Sequence, residues 1–114
     1  MRHDTAEHLP LSPATLHVLL ALTAGELHGY AIMVEVTRQS GGQYRIGPGT
    51  LYDNLKKLLN AGLVEELDAP GDGRTRRKYR LTELGNGVLA AEVERLSGVL
   101  REARRALKLS ERRS

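Results

Sequence analysis

The chain of 114 residues contains no cysteine, no phenylalanine and no tryptophan. Without cysteine there is no disulfide and no thiolate metal site, which suits a reducing cytoplasm. Four tyrosines are the only aromatics, so the core has to be aliphatic, built mainly from Leu and Val. Long hydrophobic runs are missing too. The longest, Leu16 to Ala24, includes His17 and Thr23 and is too short to span a bilayer. Two acids, Asp4 and Glu7, and the proline Pro10 come before any apolar stretch, so no signal peptide is expected, and the expected location is cytoplasmic.

Catalytic motifs are equally scarce. There is no G-x-S-x-G, and Gly47-Pro48-Gly49-Thr50 lacks the lysine and the length of a phosphate-binding loop. His3, His8, His17 and His28 show no H-E-x-x-H spacing. No enzymatic activity, metal or cofactor is therefore expected.

What is present is a local excess of positive charge. The net charge of +3 is modest, but residues 1–62 carry five Lys/Arg against five Asp/Glu, while residues 63–114 carry twelve against nine. Between Arg74 and Arg80, five of seven residues are basic and none is acidic. A docking surface for a polyanion needs charge concentrated in this way, not spread over the whole chain.

The punctuation of the chain predicts four helices and a hairpin. Ser12-Pro13 is a helix start, a serine N-cap with proline where its missing N–H costs nothing, and that helix should end near Gly25. A second helix is expected from about His28 to Ser40, stopped by Gly41-Gly42. Pro48 pre-sets a third, whose Leu51, Leu55, Leu58 and Leu59 share one side, and Gly62 suits the left-handed residue after its end. Leu63 to Leu67 and Lys78 to Leu81 read as two strands joined through the turn residues Pro70-Gly71-Asp72-Gly73. Thr82 caps a last helix on which Leu89, Val93, Leu96, Leu100, Ala103 and Leu107 form a heptad seam. Gly85, Gly87 and Gly98 weaken that helix or allow a close neighbour.

Helix, strand, basic hairpin loop and strand, in that order, describe a mostly helical α+β fold: a winged helix-turn-helix with a two-stranded wing and a long C-terminal dimerisation helix. The expected organisation is a flexible arm over 1–11, a winged-helix domain over 12–82, the dimerisation helix over 83–109 and a frayed tail over 110–114. On the third helix, Asp53, Lys56 and Lys57 lie opposite Leu51, with Thr50 and Tyr52 at the edges. Lys56 and Lys57 suit phosphates, while Thr50 and Asp53 suit base edges in a major groove. Asp53 is double-edged, since it accepts from cytosine but repels phosphate. An isolated amphipathic helix would show the same residues merely as its solvated side, and a charged edge strand would account for one or two wing cations. It would not account for Arg74, Arg76, Arg77, Lys78 and Arg80 together.

Taken together these residues resemble the PadR family of bacterial transcriptional regulators. The matching pieces are His28-Gly29-Tyr30, Pro48-Gly49-Thr50-Leu51-Tyr52, Leu58 with Gly62-Leu63-Val64, and Arg77-Lys78-Tyr79-Arg80-Leu81-Thr82 with Gly85. The resemblance runs from about Leu11 to Leu107 and is to the compact branch with a single C-terminal helix. It implies a homodimeric repressor whose third helices enter successive major grooves of an inverted repeat in double-stranded DNA while the wings hold flanking backbone. It also implies that the last helix packs on the partner chain, often against its first helix. Tyr52 matches the family's tyrosine near DNA phosphates. Tyr79 matches the second of two adjacent aromatics, with Lys78 at the first place. The expected DNA-contacting set, from the outward face of the third helix, the basic hairpin and the resemblance together, is Gly49, Thr50, Tyr52, Asp53, Lys56, Lys57, Arg74, Arg76, Arg77 and Lys78. Some members sandwich flat drugs between tryptophans, which this chain lacks. A small-molecule effector stays an open partner with no motif to name it. The competing reading is a winged-helix module that binds an acidic protein surface and no DNA.

Overall fold

A computed structural model describes residues 5–68 and 77–113. The elements in order are α1 (Pro13–Ala21) with a 3-10 turn (Leu22–Ala24), β1 (Leu27–His28), α2 (Gly29–Gln39), α3 (Pro48–Asn60), β2 (Val64–Asp68), β3 (Arg77–Leu81) and α4 (Glu83–Arg113). The first, second and third helices and the two hairpin strands lie where the capping and periodicity place them. The tip of the hairpin, with Pro70-Gly71-Asp72-Gly73, Arg74 and Arg76, lies outside the described residues.

Local chemistry explains most of the boundaries. Ser12 Oγ accepts from Thr15 N at 3.2 Å, and Pro13 occupies the first turn of α1. At the end of α3, Gly62 has φ +76°. Leu63 N donates to Leu58 O at 3.0 Å and Gly62 N to Leu59 O at 3.1 Å. That crossed pair of bonds is a Schellman closure, and it turns the chain straight into β2.

The expected two-stranded wing, β2 with β3, is present, and a third strand that was not foreseen joins it, so that the sheet runs β1-β3-β2, antiparallel throughout. β1 is only two residues long, Leu27 opposite Tyr79 and His28 opposite Lys78, so no alternation pattern could announce it. The last helix reaches Arg113, past the expected end at 109. No glycine or proline follows Gly98 to stop it.

The core is aliphatic, with Leu19 and Val18 of α1, Ile32 and Val36 of α2, and Leu51 and Leu55 of α3 fully enclosed. Tyr79 of β3 is its one buried aromatic among the described residues. Only the first three turns of α4 join this core, through Gly85, Val88, Leu89 and Glu92. Gly85 is required there because the backbone carbonyl of Leu63 lies where a Cβ would stand. Thr82 seals the same junction: its Oγ1 donates to Gly62 O at 2.6 Å and accepts from Gly85 N at 3.0 Å. Within the segment expected as a flexible arm, Leu9 and Leu11 pack against the core.

Candidate nucleic-acid interface

The leucines of α3 face inward, which forces Thr50, Asp53, Lys56 and Lys57 outward, and all four are exposed together with Gly49. The outward face carries its own ion pair: Lys57 Nζ lies 3.6 Å from Asp53 Oδ2, one turn away. An exposed i, i+4 pair of this kind adds only about 0.3–0.5 kcal/mol to stability. Its consequence is electrostatic, because part of the Lys57 charge is already answered within the helix.

Tyr52 lies at the edge of this face with 41% of its surface exposed. Its hydroxyl sits over Gly29, the first residue of α2, in the space a Cβ would occupy. The Gly29 in His28-Gly29-Tyr30 is therefore needed for the close approach of Tyr52, not for an unusual backbone angle. On the other edge, Asn54 Nδ2 donates to Thr50 O at 2.9 Å, and Asn54 Oδ1 accepts from Thr15 Oγ1 at 2.9 Å. These bonds tie the outward-facing helix to the start of α1. Asn54 was not singled out from the sequence, since its role depends on a residue 39 positions away.

The wing strand sorts its cations into two groups. Arg80 is committed internally, its guanidinium bonding Glu65 at 2.9 Å and Glu26 at 3.4 Å. The Glu65 carboxylate, by hydrogen bond and charge, raises the Arg80 pKa further, with Glu26 adding to it and burial opposing. Arg77 is exposed, with Glu66 at 3.9 Å, the outer limit of an ion pair. Lys78 is half-buried beside β1. His28 Nδ1 donates to Arg77 O at 3.2 Å, since a carbonyl can only accept, and so buttresses the wing. Thus Arg77 and Lys78 stay available at the described edge, while Arg80 is a strut. The positions of Arg74 and Arg76 lie outside the described residues.

Past Glu92, α4 leaves the core. Val93, Leu96, Leu100, Ala103 and Leu107 are all exposed, and Leu100 shows 51% of its surface. Leu89, expected as the first residue of this seam, is instead buried in the chain's own core at 5% exposure. Val99 widens the exposed stripe. Among the described residues no group of three His, Asp or Glu is placed to hold a metal ion. No described helix is long and apolar enough to cross a membrane.

Three helices packed with a small antiparallel sheet, two of whose strands form a hairpin beside an outward-facing third helix, define a winged helix-turn-helix protein. Residues 18–91 match the transcriptional regulator PadR-like family. The chain is 37% identical over 87 residues to transcriptional regulator Rv3488 of Mycobacterium tuberculosis, covering 76% of this chain and 78% of that protein. It therefore belongs to the PadR-like family, whose members are transcriptional regulators and not enzymes. Among solved structures, RosR of H. salinarum matches at 32% identity and a TM-score of 0.60, covering 83% of this chain and 79% of that one. Bacillus subtilis PadR in complex with operator DNA matches at 26% identity and a TM-score of 0.64, covering 74% of this chain and 48% of that one. A 37.1 kDa protein in a transposon of Streptomyces fradiae is 41% identical over 88 residues, and the chain spans about a quarter of its length.

Proposed function

We propose that the chain is a sequence-specific DNA-binding repressor that acts as a homodimer on an inverted repeat. The observation that carries the reading is the outward face of α3, where Thr50, Asp53, Lys56 and Lys57 stand exposed together while the leucines behind them hold the helix in the core. A helix held in this way can enter a major groove as a rigid unit. Thr50 and Asp53 address base edges, with Gly49 leaving room at the helix start. Lys56 and Lys57 meet the phosphates on the groove rims, and Tyr52 offers its hydroxyl to the backbone at the edge. Arg77 and Lys78, with Arg74 and Arg76 just before them in the sequence, would lie along flanking phosphates.

The operator complex solved for Bacillus subtilis PadR supports the same mode of action here. The exposed apolar residues from Val93 to Leu107 supply the contact with a second copy, since a stripe of that length is otherwise left in water.

Selection of bound DNA from a random pool tests the whole reading. The expected product is an inverted repeat with half-site centres about 10–10.5 base pairs apart, or a multiple of that. No enrichment at low salt would overturn it in favour of a module that docks on an acidic protein surface.

A further inference from the structure

Glu92 is the buried charged residue of the core, with 1% of its surface exposed, and nothing in the proposed DNA contacts uses it. Its Oε2 accepts from the backbone N–H of Leu11 at 2.9 Å, across 81 residues of sequence. The same carboxylate accepts two bonds from Arg95, Nε to Oε1 at 2.6 Å and Nη2 to Oε2 at 3.0 Å. Taking a carboxylate out of water is costly, and an apolar side chain of similar size would fill the space without that cost. What the carboxylate adds is direction: its bond to the Leu11 N–H is met only in one relative placement of α4 and the entry to α1, while Arg95, on α4 itself, fixes the orientation of the carboxylate.

The place of Glu92 along α4 gives that direction leverage. The helix is held from Gly85, where it meets the Leu63 carbonyl, through the buried Val88 and Leu89 to Glu92, whose bond to Leu11 is the last anchor before the helix leaves the core. At about 1.5 Å per residue Gly85 and Glu92 are roughly 10 Å apart, and the end of α4 at Arg113 lies roughly 42 Å from Gly85. A lateral slip of about 1 Å at Glu92 would therefore move the far end by about 4 Å, more than the rise of about 3.4 Å between stacked bases. All of the exposed seam, from Val93 onward, lies beyond this last anchor.

We infer that Glu92 is a positioning residue: by clamping the start of α1 to α4 it sets the angle of the dimer arm against α3, and so the half-site spacing the protein accepts. The inference rests on the dimeric reading above. If it holds, spacing selectivity and half-site affinity separate, since Glu92 is enclosed in its own chain, bonded to Leu11 and Arg95, and lies apart from the proposed DNA contacts on α3 and the wing.

The experiment measures affinity for the selected operator and for versions with the half-sites moved by one and two base pairs. Wild type, Glu92→Leu and Glu92→Gln are compared in the full-length chain, with sedimentation reporting the dimer and circular dichroism the fold. Wild type should prefer its own spacing by at least about tenfold. Glu92→Leu, which keeps the volume but removes all three bonds, should accept the shifted spacings within about threefold while binding a single half-site as wild type does. Glu92→Gln has one acceptor oxygen for three donors and should fall between them, so it carries the test should the leucine variant not fold. A wild-type spacing profile in a folded, dimeric variant overturns the clamp and leaves the dimeric reading standing. So does an equal loss of affinity at every spacing. Failure of wild type to bind any inverted repeat overturns the dimeric reading and the clamp with it.

Discussion

Asp53 and Lys57 stand one turn apart on the outward face of α3, with Asp53 Oδ2 3.6 Å from Lys57 Nζ. Within the proposed DNA complex, this pairing gives the acid a role: it would temper Lys57 and keep α3 from gripping any phosphate it meets. Asp53→Asn should therefore raise affinity for unrelated DNA and steepen the plot of log K against log salt by about 0.9, the increment for one more phosphate contact. Preference at one operator position should weaken, because Asn keeps an acceptor oxygen for cytosine but adds donors that other bases can accept. An unchanged salt slope would remove the tempering role.

The wing should act through charge alone. With Arg74, Arg76 and Arg77 replaced by Ala, the salt slope should flatten by at least about two units, from about 0.9 per phosphate, and the dimer should be unaffected. Arg80→Ala should behave differently, since Arg80 is bound to Glu65 and Glu26. Its loss should weaken the sheet and leave the salt slope in place. Filter binding over a salt series distinguishes the two.

Dimerisation can be tested where α4 has left the core. Leu96→Lys combined with Leu100→Lys places two charges on the exposed stripe without touching Val88 or Leu89. Sedimentation should show a folded monomer, and affinity for the two-site operator should drop by at least about a hundredfold as avidity is lost. A dimer that survives both charges would locate the contact elsewhere.

Two glycines at the start of α4 should respond in opposite directions to alanine. At Gly85 a Cβ would run into the Leu63 backbone, which cannot swing aside, so Gly85→Ala should cost about 1–3 kcal/mol. At Gly87 the nearest atom to such a Cβ is Thr5 Cγ2, an ordinary contact at 3.6 Å. Gly87→Ala should then stabilise by about 0.4–1 kcal/mol through the unfolded chain. Urea denaturation of both variants reads the difference directly.

Stability should also depend on pH through Glu92. The Arg95 guanidinium, bonded to the carboxylate, holds its pKa below the usual range against the opposing effect of burial, with the Leu11 N–H assisting. A carboxyl group with a depressed folded pKa stabilises fully above its unfolded value, about 4.3, and that contribution is lost as pH falls through the folded value. The stability gap between wild type and Glu92→Gln should be widest near neutrality and shrink on acidification below about pH 4.3. Glu35, also depressed by its arginine neighbour Arg38, is common to both proteins and cancels in the comparison. A gap constant from pH 7 to pH 3 would count against the charged pair.

Much of this molecule was decided by contacts close in sequence. Ser12 with Pro13, Pro48, the crossed bonds around Gly62 and the leucine spacing of α3 each need only a few consecutive residues, so their outcome can be read without a fold. The exposed set on α3 follows from the same periodicity, as one buried face implies its opposite. Tertiary structure alone decided the rest, because the partners lie far apart along the chain. The strand at Leu27–His28 exists only through its pairing with β3. Gly29 and Gly85 are needed for Tyr52 and Leu63, each brought in from another element. Arg80 was drawn away from the wing's free charge by Glu26 and Glu65, and Leu89 was drawn from the seam into the core. Glu92 shows the limit most plainly: on the helix pattern it is one more acid among arginines, and its bond to Leu11 is made only when the two ends of the chain fold together.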